Sequence, residues 1–256
     1  MLRPFPVLRK AYGKESDMSK TRKTYFIRLA CRCLMALAVL YVYLFHPSAF
    51  DVLSSWNFFS SFSVLHILWA VWVVDMSAQL IPVRKRIALG SQKLFLFRFQ
   101  PRKEAINYEA LKAHIVDTTK GAYKVFLIWV GMLGILAVLF FTQILGRNEI
   151  FLICVAFYVC DLICVLIWCP FRLIMKNKCC TTCRIFNWDH LMMFSPFLLT
   201  PGFYTTSLLL IAFAAWLVWE LCVMLYPERF WEISNIALQC SNCTDKLCTQ
   251  YCKKLR

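Results

Sequence analysis

Five stretches of this chain, 24–45, 56–81, 122–145, 150–174 and 203–226, are long and almost free of charge. A helix rises about 1.5 Å per residue, so about 20 apolar residues bridge a ~30 Å hydrocarbon core. Inside lipid every backbone amide needs an internal partner, which leaves only helices and closed barrels. The runs lack strand alternation. They predict an all-α fold, a polytopic helical membrane bundle. Composition agrees: 60 % of the 256 residues are hydrophobic and 17 % are charged, whereas soluble domains carry about a quarter charged residues.

A sixth apolar stretch, 185–200, is harder to place. It contains Leu191-Met192-Met193-Phe194 and Phe197-Leu198-Leu199, but Pro196 breaks it and Pro201-Gly202 ends it. Sixteen residues of helix rise only about 24 Å. It is a short kinked crossing, a re-entrant segment or an interfacial helix. A crossing gives about six spans with both termini cytoplasmic; otherwise there are five, with the C-terminus outside. Cytoplasmic loops concentrate Lys and Arg. With six spans, every Lys and Arg outside the spans falls on the inner side except Arg147. Six spans are therefore expected.

The domain reading follows. Residues 1–28 form a basic cytoplasmic tail. Residues 29–256 form a single transmembrane domain, with a basic interfacial loop or helix at 83–121 and a cysteine-rich C-terminal tail at 227–256. Within 83–121, Ala105, Ile106, Leu111, Ile115 and Val116 make an apolar stripe suited to a helix lying on the inner surface. Arg28 and Arg32, one turn apart in the first span, are expected to snorkel to the inner headgroups. The net charge of +15 fits basic loops flanking membrane spans, with anionic lipid headgroups as partners. It does not call for nucleic acid. A membrane-protein partner is compatible with this architecture.

Fourteen cysteines are present. Cys31, Cys33, Cys154, Cys160, Cys164, Cys169 and Cys222 lie in or beside apolar runs, where a thiol is a small packing group. The others cluster in polar loops. Cys180-x-x-Cys183 and Cys240-x-x-Cys243 have the spacing of zinc knuckles, which hold the metal in a tetrahedron of sulfurs. A hairpin turning at Pro201-Gly202 returns the chain to the side it left, so a structural zinc site built from these four cysteines is expected on the cytoplasmic face. Cys179, Cys248 and Cys252 are spare ligands. The alternatives are an iron–sulfur cluster on the same thiolates, disulfides, and thiols without a metal.

Asp75, Asp161 and Glu220 fall inside apolar spans. Ionisable groups there are costly and mark functional sites by default. The structural alternative is a carboxyl hydrogen-bonded to His66, Gln143 or Arg32. The chain has no H-E-x-x-H, no G-x-S-x-G and no phosphate-binding glycine loop, so no catalytic residue is assigned. Three functions fit: a scaffold or accessory subunit with a structural metal site, a membrane redox protein using an iron–sulfur cluster or dithiols, and a small proton- or cation-coupled transporter.

Overall fold

A computed structural model describes residues 19–60, 62–82, 89–177, 179–243 and 245–247. Most of the 1–28 tail, Arg84-Lys85-Arg86, Lys178, Cys248 and Cys252 lie outside the described residues. The described chain is mostly helical and contains no strand; Pro101 and Asn235 form an isolated bridge. Four helices are long and apolar enough to cross a membrane: α1 (Lys20–Phe45), α4 (Tyr108–Phe141), α5 (Arg147–Leu166) and α8 (Phe203–Leu225). Between them lie α2 (Leu65–Leu80), a shorter apolar helix, and the short helices α3 (Leu89–Gln92), α6 (Phe171–Ile174) and α7 (Asp189–Phe194).

Local chemistry sets the ends of these helices. The Ser19 hydroxyl caps α1 by accepting from the Arg22 amide at 3.1 Å, and α1 stops just before Pro47. Asn107 caps α4 by accepting from Ala110 N at 3.1 Å. The Gly146 amide donates to the Glu149 carboxylate at 2.9 Å and starts α5. Side-chain caps of this kind satisfy amides that a helix start leaves unpaired.

Several boundaries differ from the sequence expectation. The surface helix and third span expected as separate pieces are one 34-residue helix, about 51 Å long. Its charged first turns therefore project well beyond a hydrocarbon core. The span expected over 150–174 ends at Leu166, because Pro170 cannot donate to the helix ladder; α6 follows as a separate turn. The span expected from 56 begins only at Leu65. The His66 ring holds the preceding residues in a compact turn: Nδ1 accepts from Ser63 N at 3.0 Å, and Nε2 donates to the Phe58 carbonyl at 2.8 Å. His66 thus partners backbone and no carboxylate.

Residues 185–200 run through the interior. Arg184 sits beside Glu220, near the C-terminal end of α8, whereas Gly202 sits beside Leu53 in the loop between α1 and α2. A Cβ at Gly202 would run into the Leu53 carbonyl, so only glycine fits there. The Phe203 amide then donates to Ser55 O at 3.3 Å. Proline at 196 turns the second half of the segment into a 3-10 helix, Ser195–Leu199. Met193, Phe194 and Phe197 join the main core with Trp72, Phe151 and Tyr204. Trp72 is fully buried, its ring 4.9 Å from Phe194 and 5.7 Å from Phe151. In lipid such packing stabilises by close contact, since the tails are as apolar as the rings.

The basic end of the bundle is closed by two segments expected to act separately. The loop after α3 docks on the chain beyond α8: Arg229 donates to Leu94 O at 3.0 Å, and Ile236 N to Gln100 O at 2.9 Å. Asp245 accepts from Leu89 N at 2.8 Å, and its own carbonyl accepts from the Ser19 hydroxyl at 2.5 Å.

Candidate functional site: a buried charge cluster

Arg32 lies in the middle of α1 and turns inward, correcting the expectation that it snorkels outward. Arg28, one turn earlier, is exposed. The Arg32 guanidinium donates to Asp161 Oδ2 at 2.6 Å, to Asp75 Oδ2 at 2.8 Å and to the Tyr158 carbonyl at 2.7 Å. Its carbon lies 3.8 Å from the centre of the Tyr158 ring, a cation–π contact. One guanidinium therefore ties together α1, α2 and α5. Two of the sequence-predicted carboxylates meet here, and Arg32 is one of the three partners that the structural alternative offered for them.

The third partner was not singled out from sequence. His190, 4 % exposed, reaches into the cluster from α7, with Nε2 3.8 Å from Asp75 Oδ2 and Nδ1 3.1 Å from Asp189 Oδ1. Gln79 Nε2 approaches His190 Nδ1 at 3.0 Å. His190 Nε2 makes no hydrogen bond. A cavity of about 90 Å³ opens beside these groups, lined also by Tyr25, Arg28 and Ser91. Asp189-His190 are adjacent ionisable residues in an otherwise apolar run. That pattern was visible in the sequence, but the segment was weighed by its length alone.

Glu220 lies elsewhere. It accepts from Arg184 at 2.6 Å and from the Trp188 indole at 2.8 Å, while Arg184 also reaches Thr119 at 3.1 Å. Arg184, Trp188 and Asp189-His190 follow one another in sequence, so the same turn of chain serves both charged sites.

Three loop cysteines lie near the buried Lys93. Lys93, only 1 % exposed, points its ammonium at the Cys183 carbonyl, 3.4 Å away, and toward the rings of Trp219 and Phe230 at 5.1 and 5.4 Å. Burial pushes Lys93 down to about 8, against the opposing pull of the Cys183, Cys179 and Cys180 thiols. Burial pushes the Cys180 thiol up to about 12 and raises Cys183 as well. Cys243 lies close enough to Cys179 for the two to repel as thiolates. Among the described residues, however, no group of three or more His, Cys, Asp or Glu side chains is placed to hold a metal ion. Zinc on Cys180, Cys183, Cys240 and Cys243 finds no support in this arrangement.

Comparison with protein-family models, curated proteins and solved structures finds no match for this chain.

Proposed function

We propose that this is a six-crossing membrane protein whose Arg32–Asp75–Asp161–Asp189–His190 cluster takes up and passes a proton or small cation. The crossings are α1, α2, α4, α5, residues 185–200 and α8, with the basic end in the cytoplasm against anionic headgroups. The path of 185–200 from Glu220 to Leu53 supports the count, as does the distribution of Lys and Arg along the sequence.

Charge balance carries the functional reading. Three carboxylates share this cavity with two guanidiniums: Asp75 and Asp161 pair with buried Arg32, Asp189 lies beside His190, and Arg28 lines the same space. An uncompensated charge in a low-dielectric interior costs several kcal/mol. The cluster is therefore completed by a cation, either a proton on His190 or on a carboxyl, or a small metal ion beside them. The cavity reaches toward Tyr25, Arg28 and Ser91 near the basic end, while Trp72, Phe151, Phe194 and Phe197 pack the bundle between it and Leu53. This is the form of a site open to one side and blocked on the other. The test is proton or cation flux into proteoliposomes containing the full chain. Flux lost in Asp161→Asn supports the reading; flux absent from the wild type, or unchanged in Asp161→Asn, rejects it.

A second reading, a structural metal site giving the protein a scaffold or accessory role, is favoured by the closeness of Cys243 to Cys179. Metal analysis of anaerobically purified protein tests it. Zinc lost in Cys180→Ser but kept in Cys222→Ser supports it. A brown protein points to iron–sulfur instead, and a metal-free protein with reduced thiols rejects it.

A further inference from the structure

A second cavity, of about 260 Å³, lies between α4, α5, α6 and α7. Its wall carries five thiols, Cys160, Cys164, Cys169, Cys180 and Cys183, and two methionines, Met192 and Met193. The remainder is mainly aromatic and aliphatic, including Trp129, Phe157 and Phe171, with the carboxylates Asp161 and Asp189 at the edge it shares with the charge cluster. The charge cluster explains none of these sulfurs. Packing accounts for single cysteines in a membrane helix, but not for residues from a helix end, a turn and a loop converging on one open space.

Two features narrow the occupant. First, the described residues assemble no set of three or more ligands, so a tetrahedral ion such as zinc is poorly served. The wall does carry sulfurs in pairs close in sequence, Cys164 with Cys169 and Cys180 with Cys183. A monovalent d10 ion is satisfied by two sulfurs in line, and soft thiolate and thioether ligands select Cu(I). Second, Lys93 is a buried ammonium with a carbonyl and two rings for company and no carboxylate. A buried cation needs a counter-charge. A Cu(I) bis-thiolate carries a net negative charge and would supply one beside it.

We propose that the sulfur-lined cavity binds a soft monovalent ion of the Cu(I) class through the Cys164/Cys169 and Cys180/Cys183 pairs, with Lys93 balancing the charge of the complex. The cavity shares Asp161 and Asp189 with the one beside the charge cluster, but its sulfur ligands take no part in the proton or cation reading, and the proposal stands if that reading fails.

The test titrates Cu(I) from a competing chelator into the full chain in detergent, anaerobically and with a non-thiol reductant. In the wild type, bound Cu(I) should protect Cys164, Cys169, Cys180 and Cys183 from alkylation, while exposed Cys31 keeps its rate. Cys164→Ser and Cys183→Ser should each weaken binding at least about tenfold. Lys93→Met should weaken it about 10-fold, whereas Cys222→Ser, outside the cavity, should leave it unchanged. Protection that falls only on Cys31 and Cys33, or binding indifferent to Cys164→Ser and Cys183→Ser, overturns the proposal. So does preference for Zn(II) over Cu(I). The wild-type alkylation pattern decides the matter even if a variant misfolds.

Discussion

Replacing Arg32 with methionine removes the guanidinium but keeps most of its hydrophobic length. Asp75 and Asp161 then lose donors at 2.8 and 2.6 Å, and the Tyr158 carbonyl loses one at 2.7 Å. At an effective dielectric near 20, a unit pair about 4 Å apart is worth about 4 kcal/mol. Removing one member of a buried pair costs about 3–5 kcal/mol, because the partner charge is left uncompensated. Arg32→Met should therefore destabilise by about 3–5 kcal/mol, the carboxylates protonating to limit the loss. The triple variant Arg32→Met, Asp75→Asn, Asp161→Asn should recover most of that, since neither of the carboxylates that Arg32 paired remains charged. Thermal unfolding in detergent, followed by far-UV circular dichroism, compares the two. A single variant within about 1 kcal/mol of wild type would refute the reasoning. So would a triple variant less stable than the single, because it would show the carboxylates are stabilising without their cation.

Other perturbations follow from particular contacts. A fall of Lys93 from its ordinary 10.5 to about 8 places about 3 kcal/mol of cost on the charged form at neutral pH. Between these values the unfolded chain binds the extra proton, so stability should rise as pH passes 8. Above about 9 the raised Cys180 thiol opposes that rise. Lys93→Met should abolish the increase between about pH 8 and 9, and a pH series of unfolding temperatures checks it. Gly202→Ala forces a Cβ against the Leu53 carbonyl and should cost about 1–3 kcal/mol, as overpacking does; an unchanged unfolding temperature contradicts this. Reporters active only in the cytoplasm, fused after residues 50, 105, 148 and 256, should work at 105 and 256 alone. Loss at 256 would reduce the crossings to five.

The helical membrane character was legible because it rests on one physical requirement, backbone satisfaction in lipid, and the apolar runs express it directly. The ends were less legible. Pro47 marks where α1 has to stop, but the expected span over 150–174 runs past Pro170, which in the structure lies beyond the end of α5, and nothing local shows that residues 108–121 continue unbroken into the apolar part of α4, since an amphipathic start and an apolar finish each read as their own element. Asp75 and Asp161 stood out as charges in apolar runs. Their partner Arg32 was discounted because a basic residue within a few turns of the inner surface normally snorkels. His190 was hidden for a different reason: residues 185–200 look too short to cross, and their importance comes from where Glu220 and Leu53 pin their two ends. The thiol-lined cavity depends on α5, α6 and α7 meeting, a tertiary fact that cysteine spacing does not encode.

The central claim is that the buried cluster exchanges a cation with the medium. Infrared difference spectroscopy on the reconstituted protein reads this directly, as carboxyl and imidazole bands that change between about pH 5 and about pH 11, a window wide enough for strongly perturbed buried groups. The account predicts a reversible change that is altered by Asp161→Asn and lost in His190→Gln, and that Glu220→Gln leaves intact. Bands that stay fixed across this range, or respond equally to Glu220→Gln, would show a closed structural ion cluster and contradict the account.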